Sequence, residues 1–144
     1  MLKGLDPLLG PELLAILRAM GHGDELALVD ANFPAAATAR RLIRLDGIAA
    51  PRVLAAVLSV LPLDDFVDNP ATRMEVVGDA AAIPEICTVF SALVNDAVGR
   101  PAPLAAIERF AFYQRARDAF AVIATGETRL YGNLLLRKGV IHPA

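Results

Sequence analysis

The sequence is poor in the residues that build disulfide frameworks and metal centres. Its 144 residues include one cysteine, Cys87, two histidines and no tryptophan. A single thiol excludes an internal disulfide framework, and so few thiol and imidazole groups argue against a thiolate or histidine metal site. No His-Glu-x-x-His pattern, paired cysteine motif, phosphate-binding loop or Gly-x-Ser-x-Gly turn occurs. We therefore expect no bound metal.

Neither an excess of one charge nor a long apolar run is present. Fourteen Lys and Arg stand against sixteen Asp and Glu, with no dense basic cluster, so nucleic acid is not the predicted partner. The stretch 47–63 is interrupted by Arg52, Pro51 and Pro62, whereas a membrane-spanning helix needs about 20 apolar residues. Residues 1–7 contain an acid and a proline where a signal peptide would be apolar. We expect a cytoplasmic protein that does not bind membranes.

Apolar residues are nevertheless abundant. They make up 56% of the chain, and the mean hydropathy of +0.49 is high for a monomer. A chain of this size buries only about 68–70% of its unfolded surface by folding alone. Burial of the excess between subunits is the simplest explanation, so the composition predicts a homo-oligomer.

The spacing of apolar residues alternates between helical and strand periods along the chain. It predicts helices over Pro11–Met20, Ala50–Leu61, Pro84–Ala97 and Glu108–Phe120, and strands over 25–29, 40–45, 73–77, 121–124 and 134–136. Helices that alternate with short apolar strands favour a single layered α/β domain.

Three polar groups are predicted to follow or flank strands, where ligands gather in open α/β sheets. His22 lies between two glycines, Asp30 ends the first buried strand, and Tyr131-Gly132-Asn133 opens the last. Each also has an ordinary structural interpretation as a capping residue, a turn former or a packed tyrosine. Residue spacing alone therefore predicts an α/β oligomer with a polar pocket.

Five short motifs in order carry a resemblance that covers nearly the whole chain. They are Met1-Leu2-Lys3-Gly4, Gly21-His22-Gly23-Asp24-Glu25, Asp30-Ala31-Asn32-Phe33-Pro34-Ala35, Arg109-Phe110-Ala111-Phe112-Tyr113 and Tyr131-Gly132-Asn133. Together they resemble the RbsD/FucU sugar mutarotase family, and the second half of the third motif and the fourth are closest to its L-fucose branch. The resemblance implies one RbsD-like three-layer α/β domain over residues 1–144, with a mixed or mostly parallel sheet flanked by helices. It also implies a ring-shaped homo-oligomer, often a decamer, with pockets at subunit contacts.

The resemblance further implies an isomerase that interconverts sugar ring forms without a cofactor. His22 would be the acid/base, and Asp30, Arg109 and Tyr131-Gly132-Asn133 would hold the sugar. An unperturbed histidine has a pKa of about 6.5 and can give and take a proton near neutrality. Asp30 would orient His22 or accept a sugar hydroxyl. The alternatives are a D-ribose pyranase-type enzyme and a non-catalytic monosaccharide-binding protein.

Overall fold

Helices and strands alternate along the chain in the computed structural model, which describes residues 1–144. In order they are α1 (Pro11–Ala19), β1 (Glu25–Val29), α2 (Ala35–Thr38), β2 (Leu42–Leu45), α3 (Ala50–Leu58), β3 (Ala71–Met74), α4 (Glu85–Val98), β4 (Ala105–Ile107), α5 (Arg109–Asp118), β5 (Ala121–Thr125) and β6 (Leu134–Arg137). No helix is both long and apolar enough to cross a membrane.

The six strands form one mixed sheet in the order β2-β5-β1-β6-β3-β4. β1 runs parallel to β5, β5 to β2 and β3 to β4, whereas β6 is antiparallel to both of its neighbours. The start of β6 therefore lies beside the carboxyl ends of β1 and β3. The predicted single α/β domain with a mixed, mostly parallel sheet is confirmed.

Helices cover both faces of this sheet, because its central strands are apolar on both sides. Leu26 and Leu28 of β1 face a large cluster with α1, α3 and α4. Ala27 and Val29 face a smaller cluster on the other side of the sheet, which contains Phe33, just before α2, and Phe112 of α5. The result is a three-layer arrangement with the sheet between two layers of helices.

Two short elements were not predicted, and one strand begins earlier than expected. The single turn α2 and the three-residue β4 are too short to show a period. β3 begins at Ala71 rather than Arg73, because its buried residues include Thr72 and Arg73 and therefore do not resemble an apolar run.

Candidate active site

A pocket of about 190 Å³, lined by both polar and apolar side chains, lies at the edge of the sheet where β1 and β3 end and β6 begins. Asp30 directly follows β1, Arg109 begins α5 just after β4, and Tyr131 and Asn133 precede β6. The pocket is also lined by Asn32, Phe33, Met74, Val77, Tyr113 and Leu130. The structure thus brings together four of the predicted sugar-binding residues in one cavity.

Asp30 and Asn133 form a buried reciprocal pair in this cavity. The Asp30 backbone N–H donates to Asn133 Oδ1 at 2.9 Å, and Asn133 Nδ2 donates to Asp30 Oδ2 at 3.1 Å. Burial raises the pKa of the Asp30 carboxyl, although hydrogen bonds from the Asn32 backbone and from Asn133 oppose this effect. The pair joins β1 to the start of β6 and presents a carboxylate that can accept sugar hydroxyls.

The segment before β6 is shaped by backbone constraints. Tyr131 has a φ of +64°, which is unusual for a residue with a side chain, and its hydroxyl accepts a hydrogen bond from the Val77 N–H at 3.0 Å. A Cβ on Gly132 would lie 2.7 Å from Cγ of Glu127, whose side chain is buried. Gly132 therefore contributes no side chain to the pocket but allows Tyr131 and Asn133 to reach it.

Arg109 is paired within the pocket with a residue that was not predicted as part of the site. Its Nε donates to Tyr113 Oη at 3.2 Å, one turn further along α5. The Tyr113 ring packs edge-on against Phe33, with centroids 5.3 Å apart. The signal in the sequence was the spacing of four residues, which places Arg109 and Tyr113 on one face of a helix.

His22 lies at the opposite edge of the sheet, and its predicted place beside the carboxyl ends of the strands is wrong. Its loop precedes β1 rather than following it, and Asp30 stands at the other end of that strand. The five residues of β1 span about 16 Å. His22 is not among the residues that line the pocket.

A buried carboxylate, Asp64, is the partner of His22. His22 Nε2 lies 3.2 Å from Asp64 Oδ1, and Asp64 Oδ2 accepts a hydrogen bond from Arg137 Nε at 2.7 Å. The imidazole is 45% exposed and the carboxylate only 1% exposed. Asp64, not Asp30, therefore orients His22 within the chain.

Asp64 remains ionised at neutral pH despite its burial. Burial raises its pKa, but hydrogen bonds from Arg137, the Phe66 backbone and His22 outweigh that effect and lower the pKa overall. A fixed negative charge beside an exposed imidazole holds the ring in one orientation. The two residues are 42 positions apart, so no local motif indicates the pair.

Nearly the whole chain matches a protein-family model. Residues 3–141 match the RbsD / FucU transport protein family. The chain belongs to the RbsD/FucU family. The resemblance inferred from the five motifs is thereby confirmed.

Individual members of the RbsD/FucU family are similar to this chain over nearly its whole length. A human fucose mutarotase is 50% identical over 97% of this chain and 94% of its own. The fucose mutarotase of Streptococcus pneumoniae, solved in complex with L-fucose, is 40% identical with a TM-score of 0.90 over 98% and 100% of the two chains. RbsD of Bacillus subtilis, solved with D-ribose, is 22% identical with a TM-score of 0.76 over 99% and 100%, and this shows a shared fold alone.

The site of this RbsD/FucU member is built from proton-transfer and hydrogen-bonding groups. Nowhere in the chain do three His, Cys, Asp or Glu side chains converge in a way that could hold a metal ion. Cys87 is buried, and burial raises the pKa of its thiol, so it is a packing residue rather than a nucleophile. The groups available for chemistry are the His22–Asp64 pair and the residues around Asp30.

Proposed function

We propose that this chain is a sugar mutarotase that interconverts the α and β anomers of L-fucose or a related monosaccharide. The observation that carries the proposal is the pair formed by the exposed His22 and the buried, ionised Asp64. An imidazole oriented by a buried carboxylate is the arrangement that general acid/base catalysis uses. The similarity to fucose mutarotases at 40–50% identity supports the same assignment.

Mutarotation requires two proton transfers on one small molecule. The anomeric hydroxyl loses a proton and the ring oxygen gains one, so that the ring opens to the aldehyde; rotation about the first carbon–carbon bond and closure then give the other anomer. His22 exchanges one of these protons, and Asp64 stabilises the imidazolium that forms. One positioned acid or base contributes about 10²–10⁴-fold. The reaction needs neither an electron acceptor nor a covalent intermediate, so we propose that it proceeds without a cofactor.

The pocket beside Asp30 holds the sugar in this proposal. Its volume of about 190 Å³ lies below the range typical of drug-sized ligands and suits a single monosaccharide. The Asp30 carboxylate accepts hydrogen bonds from sugar hydroxyls, and Arg109 and the Asn133 amide donate hydrogen bonds to sugar oxygens. The Tyr131 ring offers an apolar surface to the sugar. Gly132 keeps the backbone of this segment in place. The second proton is exchanged with one of the pocket groups Asp30, Tyr113 or Tyr131.

His22 and this pocket meet across a subunit boundary in the proposed assembly. Within one chain they lie at opposite ends of β1, so a sugar in the pocket cannot reach the imidazole of the same chain. Exposed apolar side chains flank both places: Phe66 beside His22, and Val77 and Leu130 at the mouth of the pocket. Such exposed residues are typical of surfaces that associate. We propose a homo-oligomer, a decamer by family resemblance, in which the His22 edge of one subunit closes the pocket of another.

Exchange NMR on L-fucose with catalytic amounts of the purified protein tests the activity directly. Magnetisation exchange between the α and β anomer signals should be faster than in buffer, and His22→Ala should lose the acceleration while its assembly mass stays unchanged. D-ribose measured in parallel examines the pyranase alternative, which at present has only the shared fold in its favour. Absence of any acceleration on L-fucose would overturn the proposal, and binding without acceleration would indicate a sugar-binding protein. The cytoplasmic location stays a prediction.

A further inference from the structure

An aromatic ring stands exposed between the two histidines of the chain. Phe66 is 68% exposed, and its ring centroid lies 5.4 Å from that of His22 and 5.9 Å from that of His142. Its backbone N–H donates to Asp64 Oδ1 at 3.1 Å, the same oxygen that His22 contacts. The ring is therefore held next to the proposed acid/base and remains open on its other side.

His142 is held against the same loop by an acidic neighbour of Phe66. His142 Nε2 lies 2.7 Å from Asp65 Oδ2, and both side chains are about half exposed. The backbone brings His142 there because Gly139, after β6, donates its N–H to the Pro62 carbonyl at 2.8 Å. His142 is thus neither a free surface residue nor a member of the His22–Asp64 pair.

This arrangement fits a surface for the apolar side of a sugar. Monosaccharides carry C–H groups on one side of the ring, and a 6-deoxy sugar adds a methyl group. Ligand sites in proteins combine a few polar groups with aromatic side chains that cover such surfaces. Phe66 is exposed in the single chain, and in the proposed assembly it lies on the edge that closes the Asp30 pocket of another subunit, where the sugar lies.

We propose that Phe66 contacts the apolar side of the sugar bound at His22, and that His142, together with Asp65, is a positioning residue that holds the Phe66 ring. The inference rests on the proposed function, since it takes the sugar to lie at His22. It assigns substrate affinity to Phe66 and leaves the proton transfer to His22. Loss of His142 frees one side of the ring, so it weakens the sugar contact without removing it.

A double-mutant cycle with KM and kcat for L-fucose from exchange NMR tests this inference. Phe66→Ala should raise KM about tenfold and His142→Ala about threefold, with kcat of His142→Ala within about twofold of the wild-type value. In the Phe66→Ala background, His142→Ala should have no further effect, because it acts through the missing ring. His142→Gln, whose amide can donate to Asp65, should lie between wild type and His142→Ala. Ile141→Ala is the matched control, because Ile141 is exposed and adjacent to His142. Its KM and kcat should equal those of the wild type.

Each other result contradicts a stated part of the inference. An unchanged KM in Phe66→Ala, with or without a change in assembly mass, would show that the ring does not contact sugar. Additive effects in the double variant would show that His142 does not act through Phe66. L-fucose Kd values, titrated for the same variants, separate this inference from the proposed function. If the wild type binds L-fucose without catalysing anomer exchange, the proposed mutarotase is overturned, and the order of the Kd values still tests the contact of Phe66 with the sugar. If the wild type neither binds L-fucose nor catalyses its exchange, the proposed function and this inference are both overturned.

Discussion

His22 Nε2 lies 3.2 Å from Asp64 Oδ1, so an exposed imidazole is paired with a carboxylate that is only 1% exposed. The second oxygen of that carboxylate accepts the hydrogen bond from Arg137. This chain of contacts runs from β6 through the loop after α3 to the loop before β1. It orients one proton-transfer group and keeps the charge behind it fixed.

Asp64→Asn should therefore lower kcat for L-fucose anomer exchange by about 10- to 100-fold with little change in KM, because the amide cannot stabilise the imidazolium. The matched control is Asp68→Asn, since Asp68 is exposed in the same loop. Exchange NMR on both variants gives the comparison. Equal kcat values for the two would show that Asp64 does not support the acid/base.

Asn133→Asp places a second carboxylate against Asp30 in a buried setting, in place of an amide that donates at 3.1 Å. A hydrogen bond to a charged group is worth about 1.5–3 kcal/mol, so L-fucose should bind at least about tenfold more weakly. Asn95→Asp is the control, because Asn95 on α4 only accepts a backbone hydrogen bond there and an aspartate accepts equally well. Titration of L-fucose into both variants tests this; unchanged affinity in Asn133→Asp would remove the Asp30–Asn133 pair from the site.

Gly132→Ala introduces a Cβ at 2.7 Å from Glu127 Cγ and 3.3 Å from the Arg129 carbonyl oxygen. Because neither atom is the free end of a flexible side chain, we expect a loss of about 1–3 kcal/mol in the free energy of unfolding and displacement of Tyr131 and Asn133 from the pocket. Gly47→Ala, with no atom near the added Cβ, should change neither. Urea unfolding and L-fucose titration measure the two effects, and normal values of both in Gly132→Ala would contradict the close packing of this segment.

Glu127 connects this segment to α3, and its ionisation should show in the pH dependence of stability. Its hydrogen bonds from Arg129 lower the pKa of the Glu127 carboxyl below its ordinary value, although burial opposes them. A group whose pKa is lower in the folded state stabilises the fold above its unfolded pKa of about 4.3, and this contribution is lost as the pH falls through the folded value. Glu127→Gln should therefore be less stable than the wild type at pH 7, and the difference should shrink in acid. Urea unfolding midpoints of the wild type and Glu127→Gln, measured at pH 7 and pH 3 and at matched protein concentration, test this. Glu12→Gln, on the exposed start of α1, is the control. A stability difference between wild type and Glu127→Gln that grows in acid would contradict the prediction.

Apolar periodicity was sufficient for most of the fold because the central strands and the longer helices bury whole faces. Leu26 and Leu28 on one side of β1 and Val29 on the other are all fully buried, which produces the continuous apolar run that identified the strand. Short elements leave no such record, and the polar Thr72 beside Arg73 hides the true start of β3, which was predicted at Arg73 and lies at Ala71. Register and strand order depend on contacts between distant segments and cannot be obtained from local spacing.

The site residues that belong to short sequence motifs were predicted, whereas a residue that joins the site through a contact between distant segments was missed. Asp30, Arg109 and Asn133 were found as residues of short motifs, and the fold brings them into one pocket. Asp64 was not predicted as a site residue, because its partner His22 is 42 positions away. The antiparallel orientation of β6 brings Tyr131 and Asn133 to the edge that holds Asp30. His22 lies at the opposite edge because its loop precedes β1.

The separation of His22 from the pocket leads to a test of the assembly. If each active site takes His22 from one subunit and Asn133 from another, two impaired variants can restore activity together. His22→Ala supplies intact pockets and Asn133→Asp supplies intact imidazoles. In a homo-oligomer formed from equal amounts of both chains, random mixing gives about one quarter of the sites a wild-type imidazole and a wild-type pocket.

Measured at an L-fucose concentration well below the wild-type KM, co-refolded mixtures of the two variants should therefore recover up to about one quarter of the wild-type rate of anomer exchange. His22→Ala refolded alone should be inactive, and Asn133→Asp refolded alone should reach at most about one tenth of the wild-type rate. His22→Ala co-refolded with His22→Ala/Asn133→Asp is the control, because no subunit in that mixture carries an imidazole. Native mass measurement confirms that mixed assemblies have formed. Mixed assemblies without recovered activity would show that His22 and the Asp30 pocket do not meet between subunits, and would require a rearrangement of the loop before β1 to unite them within one chain.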